Sequence, residues 1–289
     1  MKALLIAATL ASLAVGPALA DDSVASVPGD DIFGYTSATD VGNPGDKQIF
    51  NENDGRVAKR QAGYFALDSK IAVDNTFAAD WWGSVGLFTN LNSLSGVPGL
   101  GNLHEFDFDG GVLELEHRVI QRSAANPFAV SLDVETDFNL HDPETGLPAE
   151  TLAVIFKAFV DAPIRPDTFY WAANLQYAIA TQQAPGSGPW SPASLLLVST
   201  AATWQASPQW FMGAEARYFV IGSSAWAGNL VGQALYVGPT LLWKPNETYA
   251  FNVTYQPQVW GRAAAAPLGT LDLTDFERST FRLKAVVSF

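Results

Sequence analysis

From about Gln61 to the last residue, apolar side chains recur at every second position in one segment after another, each roughly ten to sixteen residues long. A period of two belongs to a β-strand with one greasy face, whereas a helix repeats about every 3.6 residues. The closing segment "STFRLKAVVSF" shows the pattern. Phe281, Leu283, Ala285, Val287 and Phe289 share one parity, and Thr280, Arg282, Lys284 and Ser288 share the other. After residue 20 no apolar run approaches the ~20 residues that a membrane helix needs. Strands with one apolar face build either a soluble sheet or a barrel closed in lipid, where every backbone group is paired.

The connections decide between the two. Short turns are expected at 74–76, 122–126, 163–167, 206–208 and 244–247, and longer loops at 90–103, 141–148, 182–190, 222–232 and 261–270, all rich in Gly, Pro, Asn or Asp. Alternation of short and long connections is the habit of an outer-membrane barrel, with short periplasmic turns and longer outside loops. Counting back from Phe289 gives eleven strands, and an even number needs one more. "DIFGYTSATDVG" at 31–42 is assigned that role, followed by a polar loop through "NPGDKQIFNENDGRVAK". The expected fold is therefore all-β: a transmembrane antiparallel up-and-down barrel of about 12 strands, within two of that number. Trp204 and Trp210, and Trp243 and Tyr249, flank two of the short turns, as an interfacial girdle would.

The N-terminus fits an exported chain. "MKALLIAATLASLAVGPALA" carries Lys2, an apolar run and then Ala18-Leu19-Ala20, which predicts a cleaved signal peptide at 1–20. The mature unit is then 21–289, with a short segment 21–30 before the strands. It has fifteen basic and twenty-nine acidic residues, a net charge of −14, which argues against nucleic acid as a partner. Cysteine is absent, so disulfides, a lipoprotein anchor and soft-metal sites are excluded.

Parity also sorts the barrel's two faces. Ser131, Asp133, Glu135 and Asp137 are expected inside, opposite Val130, Leu132, Val134 and Phe138. "EFDFDGGVLELEHRV" changes parity midway, and a β-bulge at Gly110-Gly111 would keep Glu105, Asp107, Asp109, Glu114, Glu116 and Arg118 in the lumen. Glu215, Arg217, Arg282 and Lys284 join them. The candidate lumen residues are thus Glu114, Glu116, Asp133, Glu135, Asp137, Glu215, Arg217, Arg282 and Lys284, with acids in excess. Acid–base pairs such as Glu215 with Arg217 or Lys284 would offset the cost of buried charge. The terminal Phe281, Leu283, Val287 and Phe289 form the expected assembly signal.

No catalytic or cofactor-binding constellation emerges. His104 and His141 lie by outer loops and His117 near an inner strand end, without metal-ligand spacing. "ENDG" at 52–55 and "DFDGG" at 107–111 lack the later glutamate of a calcium loop.

The segments "FGYTSATDVGNPGDKQIF" (33–50), "GAEARYF" (213–219), "GQALYVGPTLLWK" (232–244) and "LDLTDFER" (271–278) resemble an uncharacterised family of proteobacterial outer-membrane barrels. That resemblance implies a porin-like or transporter-like barrel and supplies no catalytic residues. The expected function is a channel or passive transporter for a small solute. A sealed structural or adhesive barrel acting through its outer loops is the alternative, and a barrel lipid hydrolase ranks below both. The expected partners are outer-membrane lipid, the outer-membrane assembly machinery and a small-molecule or ion solute.

Overall fold

The computed structural model describes residues 27–289 except 187, 227 and 266–269, so the expected signal peptide lies outside the described residues. Twelve antiparallel strands close into one barrel. In chain order they are β1 (Lys47–Val57), β2 (Tyr64–Ala78), β3 (Trp81–Leu94), β4 (Leu103–Ile120), β5 (Ala129–His141) and β6 (Pro148–Arg165). They continue as β7 (Phe169–Gln183), β8 (Trp190–Ser207), β9 (Trp210–Gly222), β10 (Leu230–Trp243), β11 (Tyr249–Ala263) and β12 (Ser279–Ser288). Each strand pairs with its sequence neighbours, and β1 pairs with β12 over ten residues to close the ring.

Outward positions carry the apolar alternation. Ile71, Val85, Leu113, Leu132, Phe156, Val253 and Leu283 are all exposed, a continuous greasy surface suited to lipid rather than water. The inner rim carries stacked rings, with Trp243 lying 5.9 Å from Trp210 and 5.5 Å from Phe251 between centroids. On β4 the parity change is a true bulge. Phe88 faces Gly110 while Thr89 faces Phe108, so Asp109 is the extra residue, and Gly110 takes the positive φ of 113° that the bend requires.

Two expectations need correction. Residues 31–42 are not a strand. They form, after a 3-10 turn at Asp30–Ile32, an inner loop folded into the lumen, and the first strand is β1. The reason lies in β1's outer face, where Asn51, Asn53 and Gly55 replace the apolar residues that parity looks for. Asn53 donates to Asn51 at 2.6 Å and Ser69 donates to Asn53 at 2.8 Å, so these amides satisfy one another at the surface. The Phe281 ring lies over Gly55, where a Cβ would come within 2.1 Å of it. The second correction concerns the expected turn at 74–76, which lies within β2. The chain reverses at Ala79-Asp80 instead, Asp80 holding a φ of +63°. Short and long connections still alternate in most hairpins, although the inner 121–128 connection matches the outer 95–102 in length.

Candidate functional site

The inner loop shapes the lumen. It rises from Val27 to Tyr35 and descends through Thr39 and Val41 to enter β1 at Lys47. Its apolar residues Ile32, Phe33 and Ala38 pack against inward Phe50, Ala72, Tyr170, Phe211, Leu242 and Val286, giving the barrel a core inside its periplasmic half. A segment without regular structure has backbone groups to satisfy, and the wall supplies side chains for them. Glu215 accepts the N–H groups of Gly34 and Tyr35, the latter at 2.8 Å. Asp161 accepts the Thr39 N–H at 2.7 Å and its hydroxyl at 2.9 Å, and also pairs with Arg122. Asn252 donates to the carbonyls of Asp31 and Phe33, each at 2.9 Å. At Gly34 a Cβ would sit 1.9 Å from the Thr254 hydroxyl, so the loop fits here only as glycine.

The loop's tip is Tyr35. The Arg217 guanidinium lies 3.3 Å from its ring centroid and that of Arg282 lies 4.2 Å away, a cation–π sandwich. Burial, helped by Asp54, pushes the Tyr35 phenol up to about 12 despite the two arginines.

Beside the loop runs a cavity of about 780 Å³. It reaches from Lys47, Thr248 and Phe289 at the periplasmic end to Asp54, Asp68 and Arg217 higher in the lumen. Twelve carboxylate residues and seven lysines or arginines line it. A second cavity of about 200 Å³ lies beyond it, toward Phe276 and Glu277 of the outer 264–278 connection. Tyr35, Asp54, Asp68 and Arg217 line both. These four residues stand where the two cavities adjoin, and the two carboxylates are each paired there, Asp54 with Arg282 at 2.6 Å and Asp68 with Arg56 at 2.8 Å.

All nine sequence-predicted lumen residues face inward, and the structure divides them into separate networks. Lys157 bridges Glu114, Asp133 at 3.1 Å and Glu135 at 3.0 Å, and Lys70 lies 3.4 and 3.5 Å from Glu114 and Glu135. Asp137 stands next along β5, and Glu116 sits opposite Asp133 across β4–β5. Asp133 is buried rather than turned to open water. Arg282 pairs with Glu52 at 2.9 Å and Asp54 at 2.6 Å, while Lys284 pairs with Asp31 at 2.8 Å. The expected Glu215–Arg217 pairing is replaced by another arrangement. Glu215 holds the inner loop, and Arg217 donates to Gln256 and Thr280, each at 2.6 Å.

Sequence reasoning missed Lys70, Lys157, Glu52, Asp54 and Tyr35. Lys157 had a signal, since it is the one charge among the apolar inward neighbours Ile155 and Phe159 of its strand. Glu52, Asp54 and Tyr35 were hidden by the misplacement of the first strand. Among the described residues no three His, Asp or Glu side chains converge as a metal-binding group. His117 stacks on Trp81 at 4.1 Å and contacts the Asp80 carbonyl.

Residues 25–289 match the model of a family of unknown function, DUF6662. The chain belongs to that family. No curated protein matches it. Among solved structures, it is similar to the COG4313 outer membrane channel from Pseudomonas putida F1. That match has a TM-score of 0.58 and 9% identity, covering 94% of this chain and 100% of the other. It is also similar to the NanC porin, with a TM-score of 0.50 and 9% identity over 83% of this chain and 98% of that one. The β domain of the Bordetella autotransporter BrkA gives a TM-score of 0.50 and 10% identity, over 86% of this chain and 100% of its own. At such identities the likeness is one of fold: an outer-membrane β-barrel.

Proposed function

We propose that this protein is a channel in the outer membrane of a Gram-negative bacterium, passing a small polar solute through a lumen narrowed by its own N-terminal loop. The observation that carries the reading is the pair of cavities stacked along the barrel and meeting at Tyr35, Asp54, Asp68 and Arg217. Ion pairs at that point offer both signs of charge to a polar solute, and carboxylates along the larger cavity raise the local cation concentration. The folds of the P. putida channel and the NanC porin support it by analogy. The reading assigns no catalytic residue.

Planar-bilayer recording of the refolded protein tests it. The wild type should conduct with cation preference. Asp133→Asn/Glu135→Asn/Asp137→Asn should lose that preference, because Lys70 and Lys157 then face Glu114 with fewer carboxylates beside it. A second reading, a sealed barrel acting through its outer loops, draws on the inner loop and on the way 271–278 folds into the outer mouth. Absence of conductance in wild type and variant alike would favour it.

A further inference from the structure

The connection from β11 to β12 is the longest in the barrel, and its 271–278 part bends back into the outer mouth. Gln258 on β11 accepts the Asp272 N–H at 2.7 Å and donates to the Asp272 carbonyl at 3.0 Å. The Tyr236 hydroxyl donates to the Glu277 carbonyl at 2.7 Å, and Phe276 packs on Phe219 and Tyr236. The loop lies so close to the wall because the wall has glycines there. A Cβ on Gly261 would stand 2.4 Å from the Asp272 nitrogen.

At Gly232 on β10 the obstruction would come from two carboxylates. A Cβ there would be 2.5 Å from Asp272 Oδ2 and 2.8 Å from Asp275 Oδ2. Both oxygens therefore surround one point and are at most 5.3 Å apart, the sum of those distances. Asp272 is 1% exposed. Its Oδ1 accepts the N–H groups of Thr274 at 3.1 Å and Asp275 at 3.0 Å, whereas its buried Oδ2 has no hydrogen-bond partner. A buried carboxylate oxygen without a donor is costly. Lys59, the cation that acts on Asp275, is itself paired with Glu144 at 2.9 Å and bonds neither carboxylate of the pair.

We propose that Asp272 and Asp275 bind a divalent cation, Ca2+, in the space over Gly232, pinning the 271–278 loop to the inner wall of β10. The donor chemistry is right for a hard cation. Ca2+ takes carboxylate oxygens at about 2.3–2.6 Å and completes its shell with main-chain carbonyls and water, so two carboxylates suffice as its charged ligands. Gly232 is part of the site, because any side chain there would occupy the ion's place. The site lies in the outer mouth and is independent of whether the lumen conducts.

Calorimetric titration of CaCl2 into the full mature protein, folded in detergent and stripped with EDTA, tests the assignment. The wild type should bind one Ca2+ per chain with a dissociation constant on the order of 10⁻⁴ to 10⁻³ M. Asp272→Asn/Asp275→Asn should weaken binding more than tenfold. Gly232→Ala, which keeps both carboxylates, should weaken it too. Heat-modifiable gel migration establishes that each variant is folded. Limited proteolysis of the wild type gives a readout free of substitutions: Ca2+ should slow cleavage within 264–278 relative to EDTA. The assignment is overturned by absence of saturable binding, by wild-type affinity in either variant, or by cleavage indifferent to Ca2+. In those cases the two carboxyls share a proton instead.

Discussion

Replacing Glu215 with Leu should loosen the inner loop without opening the barrel wall. Glu215 is 3% exposed and takes two loop N–H groups, those of Gly34 and Tyr35, together with the Gln256 amide at 3.2 Å. A hydrogen bond to a charged group contributes about 1.5–3 kcal/mol, so the two loop contacts amount to about 3–6 kcal/mol. The lumen beside Tyr35 is a cavity, and water there would recover part of that. A net loss of about 3 kcal/mol multiplies the undocked population by about two orders of magnitude, at ~1.4 kcal/mol per tenfold. Asp161, Asn252 and the burial of Ile32 and Phe33 would still hold the loop most of the time. The expected phenotype is therefore brief openings of higher conductance, at least tenfold more frequent than in the wild type, and not a permanently enlarged pore. Glu215→Gln, which keeps one acceptor oxygen, should fall between. The chain has no cysteine, so a lock can be added cleanly. The Thr36 and Ser199 hydroxyls are 3.2 Å apart, and Thr36→Cys/Ser199→Cys should silence the openings when oxidised and restore them on reduction. Equal opening frequencies in Glu215→Leu and wild type, or a disulfide without effect, would refute the reasoning.

Lys157→Met strips Glu114, Asp133 and Glu135 of a shared cation, so the folded yield should fall and the surviving channels should show a larger cation-to-anion permeability ratio in reversal-potential measurements. That gain should shrink as salt is raised from about 0.1 to 1 M, when the Debye length falls from ~10 to ~3 Å. Deleting Phe289, whose N–H and C=O both bond Lys47 across the closing seam, should lower the heat-modifiable fraction in cell membranes; an unchanged fraction would count against a role in assembly. Epitope tags inserted at Gly96, Gly146, Gly186 or Gly228 should be labelled on intact cells, and tags at Ala79 or Pro208 should not, a swap of the two sets reversing the orientation.

The parts of the fold that read directly from the chain are those where one face meets lipid. On β5 and β11 the lipid side is mostly apolar, so Leu132, Val134, Phe251 and Val253 declare their direction and fix that of Asp133 and Asn252. β1 broke that rule because its outer amides bond to one another, while Ile32, Phe33 and Tyr35 imitated a strand because the lumen has an apolar core to receive them. Parity told which charges face inward and was silent about their partners. Lys157 meets Glu114 two strands away, and Arg282 meets Asp54 at 228 residues' separation, distances set by barrel closure and not by local pattern. The Asp272–Asp275 pair carries no chemical signal in the linear sequence, since its setting depends on Gly232, forty residues before Asp272.

The inner loop also has a bearing on the order in which the molecule is built. It joins directly to β1, the strand that pairs with β12 to complete the ring, and the last contacts of that seam are those between Lys47 and Phe289. The segment that fills the lumen is thus tethered at the site of closure by a few residues, Val41 to Asp46, and its anchors Asp161, Glu215 and Asn252 stand on β6, β9 and β11. Those strands can be in place before β1 meets β12. A loop already seated on them would bring the N-terminal strand alongside the C-terminal one, turning a search between chain ends more than two hundred residues apart into a local zippering step.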